Sequence, residues 1–328
     1  MILIPLANAA GCGHCPAALR APLANPDLKG VFMPFSKHVL AAGAAAAALS
    51  MAASASADPA KHYHVFKPTS FQALAKQAVP PSGNMNYYGG SVFSDVKLVS
   101  VMWNKNVLQN TQDQIPLFSA AIVDSTYVDQ MKEYKTKGVT AINGHKSTNQ
   151  HIHRGTYLGQ VVLKPHNQNT SLTDADVQKE IEQQIVDGAL PPFDFNTLYM
   201  IYFPSNISIN LDGLVSCQSF GAYHFATIDD KRAKQKNIFY SVEPECNSGF
   251  GFLTFAASHE YAEATTDNVP TPGSNPDYPQ AWNDAQGFEI GDKCGGSGTL
   301  TSAGGSWTVT QYWLNSRSGC STGNYTSP

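Results

Sequence analysis

The clearest chemical pattern in the sequence is a histidine followed by two glutamates, in His259-Glu260-Tyr261-Ala262-Glu263. On an α-helix, His259 and Glu263 lie one turn apart on the same face, a separation that allows two side chains to bind one metal ion. Glu260 is rotated by about 100° from His259, so its carboxylate can face a water molecule at the metal instead of the metal itself. The pattern predicts a metal site with Glu260 as general base.

A closed site needs a third protein ligand, and the acidic segment 287–294 follows the motif. We expect Glu289 to bind the metal and Asp292 to orient His259. Zinc accepts both histidine nitrogen and carboxylate oxygen, so Zn²⁺ is the expected cofactor. A site of one imidazole and two carboxylates is neutral and rich in oxygen, however, and this leaves another divalent metal, manganese or calcium, as the alternative.

A simpler interpretation treats these residues as ordinary helix positions that contact neighbours or face solvent. The surrounding sequence favours the metal site, because buried carboxylates are unfavourable unless they are paired or metal-bound. The apolar residues of the predicted helix cover most of its circumference and are Phe252, Leu253, Phe255, Ala256, Ala257, Ala262 and Ala264.

Three further histidines are candidates for a site. His224 lies in a short segment, 221–225, that has the pattern of a strand. A packed core histidine is the default there, and a donor to the transition state near the metal is the catalytic alternative. His151 and His153 would share one strand face and could bind a metal as a pair, but the polar residues just before them favour a solvated loop.

Both helices and strands are predicted around these residues, which indicates a mixed α+β fold with a buried metal-site helix. The predicted strands are 96–103, 157–163, 198–203, 207–211 and 238–242. The predicted helices are two within 112–136, one opened by Thr173 and Asp174, and the buried helix 249–266. A long loop rich in Pro, Gly and Asn follows at 267–300.

The N-terminal region has the pattern of an export signal. Residues 33–57 combine a basic start, an uncharged alanine-rich stretch and the triplet Ala55-Ser56-Ala57, which is typical of a cleaved signal peptide and too short to span a membrane. We therefore expect a secreted protein, extracellular or periplasmic. Residues 1–32 are interpreted as an over-extended N-terminus.

After the predicted cleavage site we expect an N-terminal arm, residues 58–90, and a single secreted domain, residues 91–328. With 21 Lys and Arg against 25 Asp and Glu and no basic run, the chain is not expected to bind nucleic acid. A monomer is expected.

Four cysteines remain in the predicted mature chain, and an even number in an exported protein predicts two disulfides. Three pairings are possible. We favour Cys217 with Cys246 and Cys294 with Cys320, because each pair encloses one local segment. A zinc site of four cysteines is the alternative, but these cysteines form no C-x-x-C motif.

Several short motifs resemble the bacterial branch of the EXORDIUM-like, phosphate-induced secreted proteins. They occur in the family's order and are Tyr88-Gly89-Gly90, Cys217 followed by Tyr223-His224, residues 258–264 and residues 289–294. The resemblance implies an extracellular protein of a family linked in plants to cell-wall growth. Residues 259–267 also resemble the zinc helix of thermolysin-type zincins, and Glu289 their third ligand, with Glu263 where those enzymes have histidine. The resemblance to zincins implies a zincin-like fold and peptidase activity.

Two functions follow as hypotheses. The first is a secreted metal-dependent hydrolase, most simply a zinc metallopeptidase that acts on a peptide or protein substrate. The second is a non-catalytic extracellular binding protein with a structural metal and a cell-wall glycan as partner. Aromatic residues could form such a glycan surface, although burial is the expected fate of most of them; they are Tyr87, Tyr88, Trp282, Trp307 and Trp313.

Overall fold

Long apolar runs of the sequence form the buried elements of the computed structural model, such as the strand Thr197–Phe203 and the helix Phe250–Thr266. The structure describes residues 64–75, 83–227, 237–271 and 276–328. The predicted over-extended N-terminus, the predicted signal peptide and the first residues of the predicted arm lie outside the described residues. The helices are α1 (Phe71–Leu74), α2 (Gln109–Val123), α3 (Thr126–Met131), α4 (Asp174–Val186) and α5 (Phe250–Thr266), with short 3₁₀ turns at Lys132–Tyr134 and Asn315–Arg317.

Strands occur along the whole described chain. They are β1 (Asn86–Tyr87), β2 (Asp95–Met102), β3 (His153–Val162), β4 (Ser171–Thr173), β5 (Thr197–Phe203), β6 (Ser208–Leu211), β7 (Leu214–Val215), β8 (Tyr223–Ala226), β9 (Phe239–Pro244), β10 (Trp282–Asn283), β11 (Ser297–Ser302), β12 (Gly305–Thr310), β13 (Trp313–Leu314), β14 (Gly319–Cys320) and β15 (Asn324–Thr326). The mixed α+β class is confirmed, and each predicted strand and helix is present within a few residues of its predicted ends.

The largest sheet has five strands in the order β3-β2-β5-β9-β8. Its first four strands are parallel, and β8 pairs with β9 in the antiparallel direction to form one edge. Every residue of the central strand β5 is buried, as is usual for parallel strands covered on both faces.

Alternation along β5 divides the apolar core into two layers. Leu198 and Met200 join the core that contains residues of α2 and α5. Tyr199 and Ile201 point to the opposite face and pack with residues of α4. Helix α4 starts at a capping box in which Thr173 and Asp176 bind each other's backbone amides, which is the start predicted from the sequence.

The chain after α5 contains structure that the sequence analysis did not predict. Strands β11 and β12 form an antiparallel hairpin, and β12 packs directly on α5. Thr254 Oγ1 donates to the carbonyl of Thr308 at 2.8 Å, and the amide of Thr310 donates to Ser258 Oγ at 2.8 Å. Helix α5 is therefore enclosed between the five-stranded sheet and this hairpin.

Two disulfides join the pairs Cys217–Cys246 and Cys294–Cys320. This confirms the favoured pairing. The first bond connects the segment before β8 to the segment before α5, and the second connects the acidic loop to β14. Among the described residues, the structure contains no helix with the length and apolarity needed to cross a membrane.

Candidate metal centre

Helix α5 carries its polar residues inside the protein. Fifteen of its residues are buried, including His259, Glu260 and Glu263, which are 2%, 1% and 3% exposed. The predicted burial of the helix is therefore confirmed, and it has a clear cause: β8 and β9 cover one side of the helix and β12 covers another. Water is largely excluded from all three side chains, so their charges need partners within the protein or a bound ion.

His259 and Glu263 face each other as their spacing predicts. His259 Nε2 lies 3.0 Å from Glu263 Oε1 and 3.8 Å from Asp292 Oδ1. The backbone amide of Asp292 donates to the same Glu263 oxygen at 3.1 Å, and this hydrogen bond holds the acidic loop against the helix. Two carboxylate oxygens from different residues thus lie near one nitrogen of His259, with the Asp292 side chain 20% exposed.

Gly291 makes this close approach sterically possible. A Cβ atom at position 291 would lie 2.7 Å from His259 Nδ1 and 2.8 Å from Glu263 Oε1. Any other residue would therefore force the loop or the two side chains apart. Gly291 was not predicted from the sequence, although its position between Glu289 and Asp292 was a usable signal.

Glu289 lies on a different side of the cluster from Asp292. Its Oε1 is 3.6 Å from Nε2 of His224, and its Oε2 is 3.4 Å from Nδ1 of His64. The structure therefore brings both predicted loop residues into the cluster, with Asp292 next to His259 and Glu289 next to His224.

His224, on the edge strand β8, is 1% exposed and has oxygen atoms next to both of its ring nitrogens. Nδ1 lies 3.0 Å from Glu260 Oε2 and 3.9 Å from Glu263 Oε2. Nε2 lies 3.1 Å from the carbonyl oxygen of Asp267. His224 is packed in the core, as the default interpretation expects, and it also contacts the predicted general base.

The cluster contains many acidic side chains and little water, and both conditions shift the pKa values of its residues. Burial raises the pKa of Glu289 well above its usual value, and the charges of Glu263 and Asp267 raise it further. Burial alone would lower the pKa of His259, but the neighbouring Glu263 and Glu260 carboxylates raise it to about 9. Excess negative charge in a dry site is the situation that a bound cation relieves.

Unpartnered polar atoms show that the residues fit a cation. Among the described residues, five buried atoms of the cluster have no hydrogen-bond partner of good geometry. They are both nitrogens of His259, both carboxylate oxygens of Glu289 and Oε1 of Glu260. Two sets of ligand atoms lie within 4.8 Å of one another, one from His259, Glu260 and Glu263 and one from His224, Glu263 and Glu289. Imidazole nitrogen with carboxylate oxygen is a donor set that zinc and manganese accept.

The segment before α1 covers one side of the cluster and was not identified from the sequence. The amide of Phe66 donates to the carbonyl of Ala222 at 3.0 Å, and the amide of Gly221 donates to the carbonyl of Phe66 at 2.7 Å. The Phe66 ring lies 4.6 Å from the ring of His259. Residues 64–66 therefore lie along the edge strand, next to the candidate ligands.

Glu243 on β9 is another buried acid that the sequence analysis missed. It is fully buried, and neither of its carboxylate oxygens has a hydrogen-bond partner among the described residues. Burial raises the pKa of Glu243 well above its usual value, and the charge of Glu260 adds to the shift.

The other sequence candidates lie outside the cluster. His151 and His153 have ring centroids 5.8 Å apart, and His153 is exposed at the start of β3. The five aromatic residues considered for a glycan surface are all buried, at 8% exposure or less, so their burial in the core is confirmed.

Comparisons with known proteins give no relative: no family model matches the chain, and no curated protein or solved structure matches it. The function is therefore inferred from the residues of this chain and their geometry.

Proposed function

We propose that the chain is an exported, metal-dependent hydrolase with a zincin-like site that acts on peptide bonds. The observation that carries the proposal is that His259 Nε2 lies 3.0 Å from Glu263 Oε1 and 3.8 Å from Asp292 Oδ1, with Glu260, the residue after His259 on α5, buried beside them. The position of α5 against a mixed sheet, with His224 on the antiparallel edge strand, supports the zincin-like interpretation. The two disulfides and the signal-like N-terminus support export.

His259, Glu263 and Asp292 would hold the divalent cation, with zinc the first candidate. Such a cation acts as a Lewis acid that polarises a carbonyl and makes water more acidic. Glu260 would take a proton from the attacking water and return it to the leaving amine. Burial raises the pKa of Glu260, which suits a group that must both accept and donate a proton near neutral pH.

His224 would position the base. Its Nδ1 lies 3.0 Å from Glu260 Oε2, while Glu260 Oε1 has no hydrogen-bond partner among the described residues. His224 thereby holds Oε2 of Glu260, and Oε1 would be the oxygen that accepts the proton of the attacking water. His224 therefore lies next to the proposed base, a position that would also allow the role expected from the sequence, a donor to the transition state.

Glu260→Gln is the direct test of the proposal. The amide keeps the size of the side chain but cannot accept the proton, so we expect peptide hydrolysis to fall by at least about 100-fold while the metal content stays unchanged. Hydrolysis of a mixed peptide library and elemental analysis measure the two quantities. Glu182→Gln on α4, across the sheet, is the matched control. Hydrolysis retained in Glu260→Gln would show that Glu260 is not the general base.

A non-catalytic, EXORDIUM-like binding protein is the second candidate, and the enclosure of the site favours it. Residues 64–66 lie over the cluster, and the acidic loop is fastened by the Cys294–Cys320 bond and by a buried ion pair in which Lys293 Nζ lies 2.5 Å from Asp284 Oδ2. In such a protein the cation would join the loop to α5 and have no catalytic role.

The second candidate makes a different prediction about stability. If the cation is only structural, His259→Ala should lower the melting temperature, by roughly 2–4 °C for each kcal/mol lost, whereas Glu260→Gln should change neither stability nor any activity. Calorimetric melts of both variants, with and without a chelator, measure this. Equal stability of His259→Ala and wild type would count against a structural role for the cation.

A further inference from the structure

His224 has an arrangement that a neutral histidine beside ionised carboxylates does not explain fully. A neutral imidazole has one N–H and one lone pair. Both nitrogens nevertheless face oxygen acceptors, Nδ1 at 3.0 Å from Glu260 Oε2 and Nε2 at 3.1 Å from the carbonyl of Asp267. If Nδ1–H donates to Glu260, the lone pair of Nε2 faces the Asp267 carbonyl and Glu289 Oε1, the latter at 3.6 Å. A cation between these atoms would make all of them favourable ligands.

Glu289 supplies an independent observation at the same place. Its side chain is fully buried, and neither carboxylate oxygen has a hydrogen-bond partner among the described residues. Its carboxylate lies between the rings of His224 and His64. A buried carboxylate without hydrogen bonds is strongly unfavourable unless it is protonated or bound to a cation.

Glu263 can connect this place to the first metal site. Its Oε1 faces His259 Nε2 at 3.0 Å, and its Oε2 faces the other histidine, His224, at 3.9 Å from Nδ1. A carboxylate with one oxygen beside each of two histidine rings can bridge two ions once its Oε2 turns from the Nδ1 edge of His224 towards the Nε2 edge, where Glu289 lies. One atom each of His224, Glu263 and Glu289 already lie within 4.8 Å of one another.

The charges of the cluster favour two cations over one. Glu260, Glu263, Glu289 and the partly exposed Asp292 lie among the imidazoles of His64, His224 and His259, where little water enters. With the four carboxylates ionised and the imidazoles neutral, one divalent cation balances two of the carboxylates and leaves two negative charges, whereas a second divalent cation balances all four.

We propose that His224, Glu289 and Glu263 bind a second divalent metal ion, with Glu263 shared between the two ions and the carbonyl of Asp267 beside the second. The proposal rests on the first metal site of the proposed function. One imidazole nitrogen with several oxygens suits zinc or manganese better than calcium. Paired ions of this kind lie about 3.5–4 Å apart in hydrolases, where they act on the two oxygens of a displacement.

Metal counting on the purified full chain tests the proposal. After chelation and reloading with Zn²⁺, the wild type should contain two equivalents by elemental analysis. Glu289→Gln, which preserves the shape of the side chain, and His224→Ala should each contain one. His259→Ala should also contain one, because it removes only the first site. His153→Ala, at an exposed histidine, is the control and should contain two.

A second measurement tests whether the ions are adjacent. Chain loaded with Mn²⁺ should give a magnetically coupled electron paramagnetic resonance signal in the wild type. Glu289→Gln should give the signal of an isolated Mn²⁺ ion. If His224→Ala does not fold by circular dichroism, Glu289→Gln alone decides the question.

The outcomes separate the two proposals. If the wild type binds one equivalent of Zn²⁺, and this ion is lost in His259→Ala and kept in Glu289→Gln, the second site is overturned and the proposed function stands. His224 would then be an imidazolium that donates hydrogen bonds to both neighbours. One equivalent lost in Glu289→Gln but kept in His259→Ala would overturn the first site instead. No metal in the wild type would overturn both, and two equivalents retained in Glu289→Gln would place the second ion elsewhere.

Discussion

At the scale of single residues, Glu263 explains why a glutamate suits a position where the H-E-x-x-H motif has histidine. Its Oε1 lies 3.0 Å from His259 Nε2 and accepts the amide of Asp292, while its Oε2 faces His224. One carboxylate thus contacts the helix, the loop and the edge strand together. An imidazole could not accept the Asp292 amide and also present an oxygen to His224. The departure from the motif therefore has a structural use in this chain.

Gly291→Ala tests how closely the loop must approach the helix. The new methyl group would lie 2.7 Å from His259 Nδ1, so the loop must move away from α5. We expect metal affinity to fall by at least about 10-fold, the lower end of what is lost when groups around a metal are disturbed. Titration with Zn²⁺ by calorimetry measures it. Gly83→Ala, at a position with open space and, like Gly291, without a left-handed φ, is the control and should leave the affinity unchanged; unchanged affinity in Gly291→Ala would contradict the interpretation.

At the scale of elements, the sequence predicted those parts of the fold whose pattern is local. Helix α5 and strand β5 were found because long apolar runs leave few alternatives to a buried element. The hairpin β11–β12 was missed, because its serines, threonines and glycines resemble a loop and its buried face, with Leu300, Trp307 and Val309, is made only when the strands pair.

The candidate site was also predicted only where its pattern is local. The four acids and the histidine of α5 and the following loop were identified from motifs within short segments. His64, Gly291 and Glu243 were not, because they join the cluster through tertiary contacts between distant segments. A carboxylate inside the apolar run of β9 was the one local signal for Glu243.

The contact between α3 and β3 makes a prediction about acid stability. Arg154 binds both oxygens of Asp129, at 3.1 and 2.6 Å, and these hydrogen bonds hold the pKa of Asp129 at about 2, below its usual 3.8. A lowered pKa in the folded state stabilises the protein above the unfolded pKa, and this contribution is lost as the pH falls from about 4 towards 2. Because both side chains are partly exposed, the effect should be about 1 kcal/mol or less.

Urea unfolding at pH 5 and at pH 2.5 measures this contribution. Wild type should lose more stability over this interval than Asp129→Asn, whose side chain does not titrate. Asp113→Asn on the exposed side of α2 is the control and should behave as wild type. Identical pH dependence in Asp129→Asn and wild type would show that the Arg154 contact does not contribute.

At the scale of the whole molecule, the two disulfides constrain similar lengths of chain but different parts of the site. The bonds span 29 and 26 residues, so chain entropy predicts that each stabilises the fold by about 3.5 kcal/mol. Only Cys294 lies in the acidic loop, two residues after Asp292. Removing the second bond should therefore weaken metal binding beyond its effect on stability, because the loop that carries Asp292 and Glu289 loses its attachment to β14.

The double variants Cys217→Ser/Cys246→Ser and Cys294→Ser/Cys320→Ser provide a matched pair for this prediction. We expect both to unfold at lower denaturant concentration by similar amounts. Under conditions where each is fully folded, only the second should release Zn²⁺ faster to a chelator, by about 10-fold or more. Equal release rates would mean that the Asp292 amide bond to Glu263 and the buried Lys293–Asp284 pair hold the loop without the disulfide. In that case the metal ligands would be positioned by the packing of the loop against α5, and the Cys294–Cys320 bond would contribute to stability alone.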